Sequence, residues 1–586
     1  MASKKAVAEV QAVFDMDEPA RFVANEWDKL NNQRQGKMNE WSELSRYIFA
    51  TDTSTTSNSG LPWKNSTTLP KLCQIRDNLH SNYLSALFPN DDWVRWVGYS
   101  REDSVRQKVE AIQGYMSNKC RQNQFHTEMS KLLYDFIDYG NSFATVSYEN
   151  EFKTEKDGTI TPIYTGPKIH RISPYDIVFN PLARSFEETY KIVRSIKTEG
   201  ELKKMAELNP SQSYWNDVLE RRQKIKNVLG SVSRDDFEKA IQYDVDGFGS
   251  IYEYFGGEYV EILEFYGDFH DKESGELKTN QVITVVDRSY TANQQESDNW
   301  FGNAPIFHVG WRFRQDNLWA MGPLDNLVGM QYRIDHLENL KADAMDLAVH
   351  PPLALTGDVE AFRWEPGAQI EVGENGSISE VAKNLNGVIA AANEIQQLQD
   401  MMEMYAGAPR EAMGVRTPGE KTAFEVQQLQ NAAGRIFQEK ITNFEIELLE
   451  PVLNSMLEVS RRNMDATDVI RVMDRSVGVE TFLSVTRDDI VARGKIRPVG
   501  ARHFAKQAQD LQNLIGVFNS PVGQMIAPHT SGIELVKFVT DMTNLNGYDI
   551  FRPYAALEEQ QEMQQQQAQM QEDMQVQQTQ PMPRGM

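Results

Sequence analysis

The sequence predicts a helix-rich α+β fold, and three observations carry that expectation. Apolar residues recur at three- and four-residue steps through most of the chain before 139 and again beyond 320. Between these regions, from 141 to about 315, the period falls towards two in β-branched and aromatic runs separated by Gly and Pro. The chain has 586 residues and 67.0 kDa, more than one core usually organises, so several domains are expected.

Composition narrows the class. Hydrophobic residues make up 40% and charged residues 25%, which permits a large core. The two cysteines, Cys73 and Cys120, lie far apart in sequence, which speaks against a disulfide framework or a cysteine zinc site and fits a reducing compartment. The first residues, MASKKAVAEVQAVFDMDEP, meet acidic positions before any long apolar run and do not read as a signal peptide. Nowhere do about 20 apolar residues run together, as a membrane span requires. A formal charge of -24 argues against a protein that grips nucleic acid, because counterion release needs clustered Lys and Arg. It is compatible with an acidic wall past which nucleic acid slides.

The elements follow in order. Phe22, Val23, Trp27 and Leu30, then Trp41, Leu44, Tyr47 and Ile48, predict helix over 19–50. A Ser/Thr/Asn/Gly/Pro loop over 50–68 separates it from helical patterning at 72–87 and 103–139, which Gly140 ends. Strand runs follow at NSFATVSYENEF, PKIHRISPYDIVFNP and TYKIVRSIKT, and then a charged helical stretch over 197–245 holds the basic cluster ERRQKIKN, expected to be a solvated helix face. Further strands, EYVEILEFYGDF, KTNQVITVVDRSY and APIFHVGWRF, predict a small barrel or curled sheet of the SH3 type. Asp268-Phe269-His270-Asp271 falls on the hairpin turn between the first two and is read as a turn, not a metal site.

From Gly322-Pro323 to the double proline 351–352 one helix is expected, about 40 Å long. Its stripe, Leu327, Met330, Ile334, Leu337, Lys341, Ala344 and Ala348, is too thin to sit inside a globule and suits packing beside copies of itself or a parallel partner. An insert with strand and turn character (351–387) leads to a second helix at 388–405 and then to a very long helical pattern over 418–464, kinked or interrupted at Pro451. A β-like patch (480–500) and amphipathic helices near 501–518 and 531–544 precede a Gln- and Met-rich tail, expected to be disordered or frayed.

The stretch AMGVRTPGEKTAFEV (412–426) nearly spells a phosphate-binding loop. A helix-like segment precedes it where a buried strand is required, and Glu420 would place a carboxylate at the phosphate. The residues fit a helix start better: Thr417 as N-cap, Pro418 at the first helical position and Glu420 completing a capping box. No His-Glu-x-x-His pair and no Gly-x-Ser-x-Gly elbow occurs, and no catalytic residue, metal or cofactor is assigned.

The order of parts resembles the portal, or head-to-tail connector, proteins of tailed phages, especially those with short tails. The resemblance rests on ISPYDIVFNP (172–181), on helix, Pro-rich insert and returning helix (322–405), and on GAPREAMGVRTPGEKTAFEVQQLQ (407–430) entering a long helix. It implies a non-enzymatic ring, usually of about twelve subunits, around a channel for double-stranded DNA. By position, residues 1–320 would form the wing, with its β-rich subdomain at about 141–315, and 321–350 with 388–405 the stem helices. Residues 351–387 would form the clip, 406–420 the tunnel loop, 421–545 the inner wing helix and a helical crown, and 546–586 the tail. Arg410, Arg416 and Lys421 become candidates for transient phosphate contacts, against pairing with Glu411 and Glu420. The resemblance implies a place at the capsid vertex of a virion, and in host cytoplasm during assembly. Its partners would be the major capsid protein, the terminase large subunit, tail adaptor proteins and scaffolding or internal core proteins. The competing readings are a coiled-coil scaffold, which need not close into a ring, and a nucleotide-dependent enzyme using Lys421 and Thr422.

Overall fold

A computed structural model describes residues 17–49, 65, 67–88, 93–100, 106–154, 160–208, 212–229, 258–272, 274–297, 304–349, 353–357, 359, 371–380, 386–406, 437–464, 467–474, 479–491 and 493–498. Helix and sheet are mixed, as the α+β expectation requires. The chain divides into two compact units, 1–85 with 121–463, and 86–120 with 464–586.

In the larger unit the first two helices, α1 (Glu18–Gln33) and α2 (Gln35–Phe49), carry the apolar faces read from their periodicity. The β-block forms two antiparallel sheets. One has the order β3-β2-β9, from β2 (Asn141–Thr154), β3 (Ile160–Ile172) and β9 (Ile306–Gly310). The other has the order β4-β5-β6-β7-β8, from β4 (Ile177–Phe179), β5 (Lys191–Thr198), β6 (Tyr259–His270), β7 (Leu277–Val286) and β8 (Tyr290–Glu296). Both orders have free ends, so among the described residues these are open sheets and not a closed barrel. Ala20, Val23, Trp27 and Leu30 of α1 pack on Val178, Ile192, Leu263, Phe265, Ile283 and Val285 of the five-stranded sheet. Trp41 of α2 enters a second core with Phe143, Phe179, Ile306 and Trp319.

The turn within ISPYDIVFNP has a specific holder. The buried Arg34 guanidinium donates to the carbonyl oxygens of Pro174 (2.6 Å), Ile177 (2.6 Å) and Tyr175, and Asp176 pairs with Arg194 at 2.9 Å. Burial, reinforced by Arg194, lowers the Arg34 pKa to about 10.

Helices α6 (Glu199–Leu208) and α7 (Tyr214–Leu229) correct the reading of the basic cluster. Arg222, expected on a solvated face, is 1% exposed and donates to Glu199 and Asp287, both at 2.9 Å, and to the Tyr259 carbonyl. It locks the β7–β8 turn, where Asp287 and Arg288 both adopt positive φ (52° and 54°) and Arg288 grips the buried Glu261. Helical periodicity could not reveal this, because the partners lie on strands distant in sequence. The Asp268–Asp271 stretch reads in sequence as a hairpin turn, but Asp268, Phe269 and His270 belong to β6 and only Asp271 stands at the turn, where it accepts from the Ser274 amide and Lys278. No metal-holding cluster occurs among the described residues.

Both thiols are free: Cys73 is partly covered, and Cys120 is buried, with burial pushing its pKa up to about 12. The smaller unit contains β1 (Val94–Gly98), most of α4 (Arg106–Gln122), the hairpin of β14 (Thr467–Asp474) and β15 (Val479–Thr486), and β16 (Gly494–Pro498), which pairs with β1.

Candidate assembly surface on a two-helix arm

The arm is rooted where α5 (Phe125–Asp138) meets β2. Gly140 there has φ +68°, and a Cβ on it would lie 2.4 Å from the Gly322 nitrogen, so glycine is required twice over. The Asn141 side chain donates to the Tyr139 and Ala320 carbonyls and accepts from the Ala320 amide, fastening β11 (Asn317–Met321), which pairs with β10 (Arg312–Arg314), to the start of β2. Asp325 then accepts from the Gly322 amide and opens a short 3-10 turn, Asp325–Leu327.

Helix α8 follows as Val328–Val349. Its 22 residues span about 33 Å, shorter than the expected 40 Å because the Gly-Pro sequence and the 3-10 turn take up the first residues. The apolar stripe is buried only near the root, at Leu327, Ile334 and Leu337.

A second stripe on α8 is polar and fully buried: Gln331, Asp335 and Asn339 are each 0% exposed. With Asp343 they stand four apart and meet the segment 65–72. The Asn65 amide donates to Asp343 (3.0 Å), Thr67 to Asn339 (2.8 Å), Leu69 to Asp335 (3.0 Å) and Leu72 to Gln331 (3.3 Å). Asn339 and Gln331 return donors to the Thr67 and Leu69 carbonyls at 3.0 and 2.6 Å. Four helical residues rise about 6.0 Å and two extended residues about 6.6 Å, so the contacts at 65, 67 and 69 keep step with the helix; the last step, to Leu72 in the following helix, is three residues. Gln331 thereby also satisfies an amide in the first turn of α3 (Lys71–Leu87).

Asp335 is the strained member. One oxygen accepts from Leu69 and Gln331, while Oδ2 is buried and, among the described residues, has no hydrogen-bond partner. Burial raises its pKa to about 7, outweighing the two donors.

Helix α9 (Asn386–Tyr405) returns alongside α8, joined by Arg333–Glu394 (3.0 Å), and is tied to α3 by the buried Lys71–Glu403 pair. Between the helices, β12 (Leu353–Thr356) and β13 (Ser377–Glu380) pair as an exposed hairpin. Ten of the twenty-one exposed large hydrophobic residues among the described residues lie between 328 and 405. Val349 is 72% exposed, Ile389 62%, Tyr405 61% and Met404 60%, and Met345 and Leu347 of α8 are exposed too. Single exposed apolar residues are ordinary, but a concentration on paired helices marks an interaction surface.

The sequence-derived site residues are not part of this geometry. Arg410, Arg416 and Lys421, and the capping residues Thr417, Pro418 and Glu420, lie outside the described residues, as does Thr422. The long helix that follows is described from 437 onward. There a π-helical turn, Glu445–Leu449, precedes α10 (Glu450–Asn463), and the Glu450 amide donates to Glu445 O. Pro451 lacks an amide and crowds the preceding turn, and the regular α ladder is interrupted there by the widened π turn. The polar ladder was missed by sequence reasoning; its signal was the four-residue spacing of Gln331, Asp335, Asn339 and Asp343 beside the apolar stripe. No protein-family model matches the chain, and no curated protein matches it significantly.

Proposed function

We propose that this chain is the subunit of a portal ring: a non-enzymatic channel at a capsid vertex through which double-stranded DNA is packaged and later ejected. One observation carries the reading. The arm buries a polar stripe against its own chain beside Ile334 and Leu337 and leaves six further apolar residues, Met345, Leu347, Val349, Ile389, Met404 and Tyr405, exposed. Identical arms set around an axis would cover those residues with their neighbours, and repeated head-to-tail contacts close into a ring.

In this reading α8 and α9 are the stem, and the β12–β13 hairpin belongs to the clip, where the terminase motor and then tail adaptors dock. The major capsid protein and scaffolding or internal core proteins surround the wing. The net charge of -24 suits a wall that repels phosphate and holds DNA weakly. Packaging energy would come from the separate motor, so no intrinsic ATPase is expected, and Lys421→Ala should leave any background hydrolysis unchanged.

Negative-stain imaging with native mass spectrometry of the purified protein tests the reading. A closed ring of fixed subunit count with a central hole is expected. A persistent 67.0 kDa monomer at micromolar concentration would overturn it, and open or irregular polymers would favour a coiled-coil scaffold.

A further inference from the structure

The β1–β16 ribbon of the smaller unit carries a cluster of cations that the arm reading leaves unused. Its register places Arg95 opposite Arg497, Trp96 opposite Ile496 and Val97 opposite Lys495, and the Tyr99 amide donates to the Arg493 carbonyl at 2.9 Å. Side chains alternate along a strand, so the two faces separate cleanly. Val94, Trp96 and Ile496 are buried on one face, and the Trp96 ring lies against Gly494, where a Cβ would be 2.5 Å from it. The other face presents Arg95, Val97 and Tyr99 beside Arg497, Lys495 and Arg493. Tyr99 is 71% exposed, and neither VRWVGY nor RGKIRP contains an acidic residue.

This arrangement is unfavourable in isolation. Like charges directly opposite on a ladder repel. Among the described residues Arg95, Arg493 and Arg497 make no ion pair, although the chain has 84 acidic residues to 60 basic ones. An anion spanning both strands would relieve the repulsion.

We infer that the Arg95–Arg497 face of this ribbon is a contact surface for the phosphate backbone of double-stranded DNA. Same-face residues on one strand repeat every ~6.8 Å, which spaces Lys495 and Arg497 of β16, and Arg493 in the bend just before it extends the row of positive charge. A polymer with evenly spaced phosphates matches such a row, whereas the charges of a folded protein surface are irregular. Exposed Tyr99 adds a hydroxyl able to donate to a phosphate oxygen. Four cations per subunit hold DNA weakly, which suits a polymer that must move. The choice of duplex DNA over other polyanions rests on the portal reading; the charge pattern itself does not.

The test uses the full chain and a fluorescent duplex of about 40 base pairs, titrated by anisotropy between about 50 and 200 mM salt. The triple variant Arg95→Gln, Arg493→Gln, Arg497→Gln should weaken binding at least about tenfold at the lower salt and reduce the salt slope by about 2.7, or 0.9 for each lost phosphate contact. Arg95→Lys, Arg493→Lys, Arg497→Lys, which keeps the charges, should retain most of the affinity; equal loss in both variants would point to a damaged ribbon and overturn the inference. Unchanged affinity and slope in the Gln variant would overturn it too, as would disassembly of rings by that variant with DNA binding intact, which would assign the face to an acidic surface of a neighbouring copy. Rings that form while the Gln variant binds DNA normally sink this inference alone. Ribbon-dependent DNA binding by a monomer sinks the portal reading alone.

Discussion

The wing sheet buries an almost wholly apolar face, whereas the arm buries a polar stripe beside its apolar one. Where α1 meets the five-stranded sheet, the covered positions are Val23, Trp27, Leu263 and Phe265, and the packing is complete within one chain. On α8 the most deeply covered positions include Gln331, Asp335 and Asn339, while Met345, Leu347 and Val349 face outward. α8 thus hides a polar stripe beside Ile334 and Leu337 and shows further apolar residues towards its end. Under the ring proposal, the contrast separates the part that folds alone from the part that assembles.

If that contrast holds, substitutions in the wing should act on folding and those at the arm surface on assembly. The largest effect is expected for Trp27→Ala, which empties a site 0% exposed in the wing core and should lower unfolding free energy by about 3–5 kcal/mol in a denaturant titration. Next comes Gly140→Ala at the root. Its Cβ would meet the Gly322 backbone in a left-handed conformation, and roughly 2–4 kcal/mol should be lost in the same assay. A loss below about 0.5 kcal/mol would mean the root relaxes and does not fix the arm.

Asn339→Ala should leave the Thr67 amide and carbonyl without their partner, a local penalty of about 1–3 kcal/mol read by hydrogen exchange at residues 65–70. Unchanged protection there would show that the ladder does not hold the segment.

Asp335 makes that prediction pH-dependent. Its folded pKa, about 7, lies above the ordinary 3.8, so its contribution is full below about pH 4 and is lost as pH rises through 7. Asp335→Asn should therefore be more stable than wild type at pH 8, with the gap shrinking towards pH 5; melting curves at both pH values check this, and a constant gap would refute it. The smallest effect on the isolated subunit is expected for Val349→Ser with Ile389→Ser, within about 0.5 kcal/mol of wild type, even though rings should disperse to monomers by native mass spectrometry.

Much of the architecture was legible because secondary structure is written in local spacing. The three- and four-residue recurrence of Val23, Trp27 and Leu30 reports one helix face whatever lies against it. The alternation in EYVEILEFYGDF likewise reports a strand. Gly140 announced a break, and the double proline at 351–352 bounded α8.

Two features were decided by neighbours distant along the chain. Arg222 read as a solvated cation until Asp287 and Glu199 were brought to its guanidinium. The stripe of Gln331, Asp335 and Asn339 drew no reading from the sequence, and its role comes from residues 65–72, more than 250 positions earlier, laid along it. Periodicity records which residues share a face, because backbone geometry is local. What that face meets depends on loop closure and packing over hundreds of residues, so the chain's own order could name the arm but not its polar grip, nor the row of cations that pairs residue 95 with residue 497.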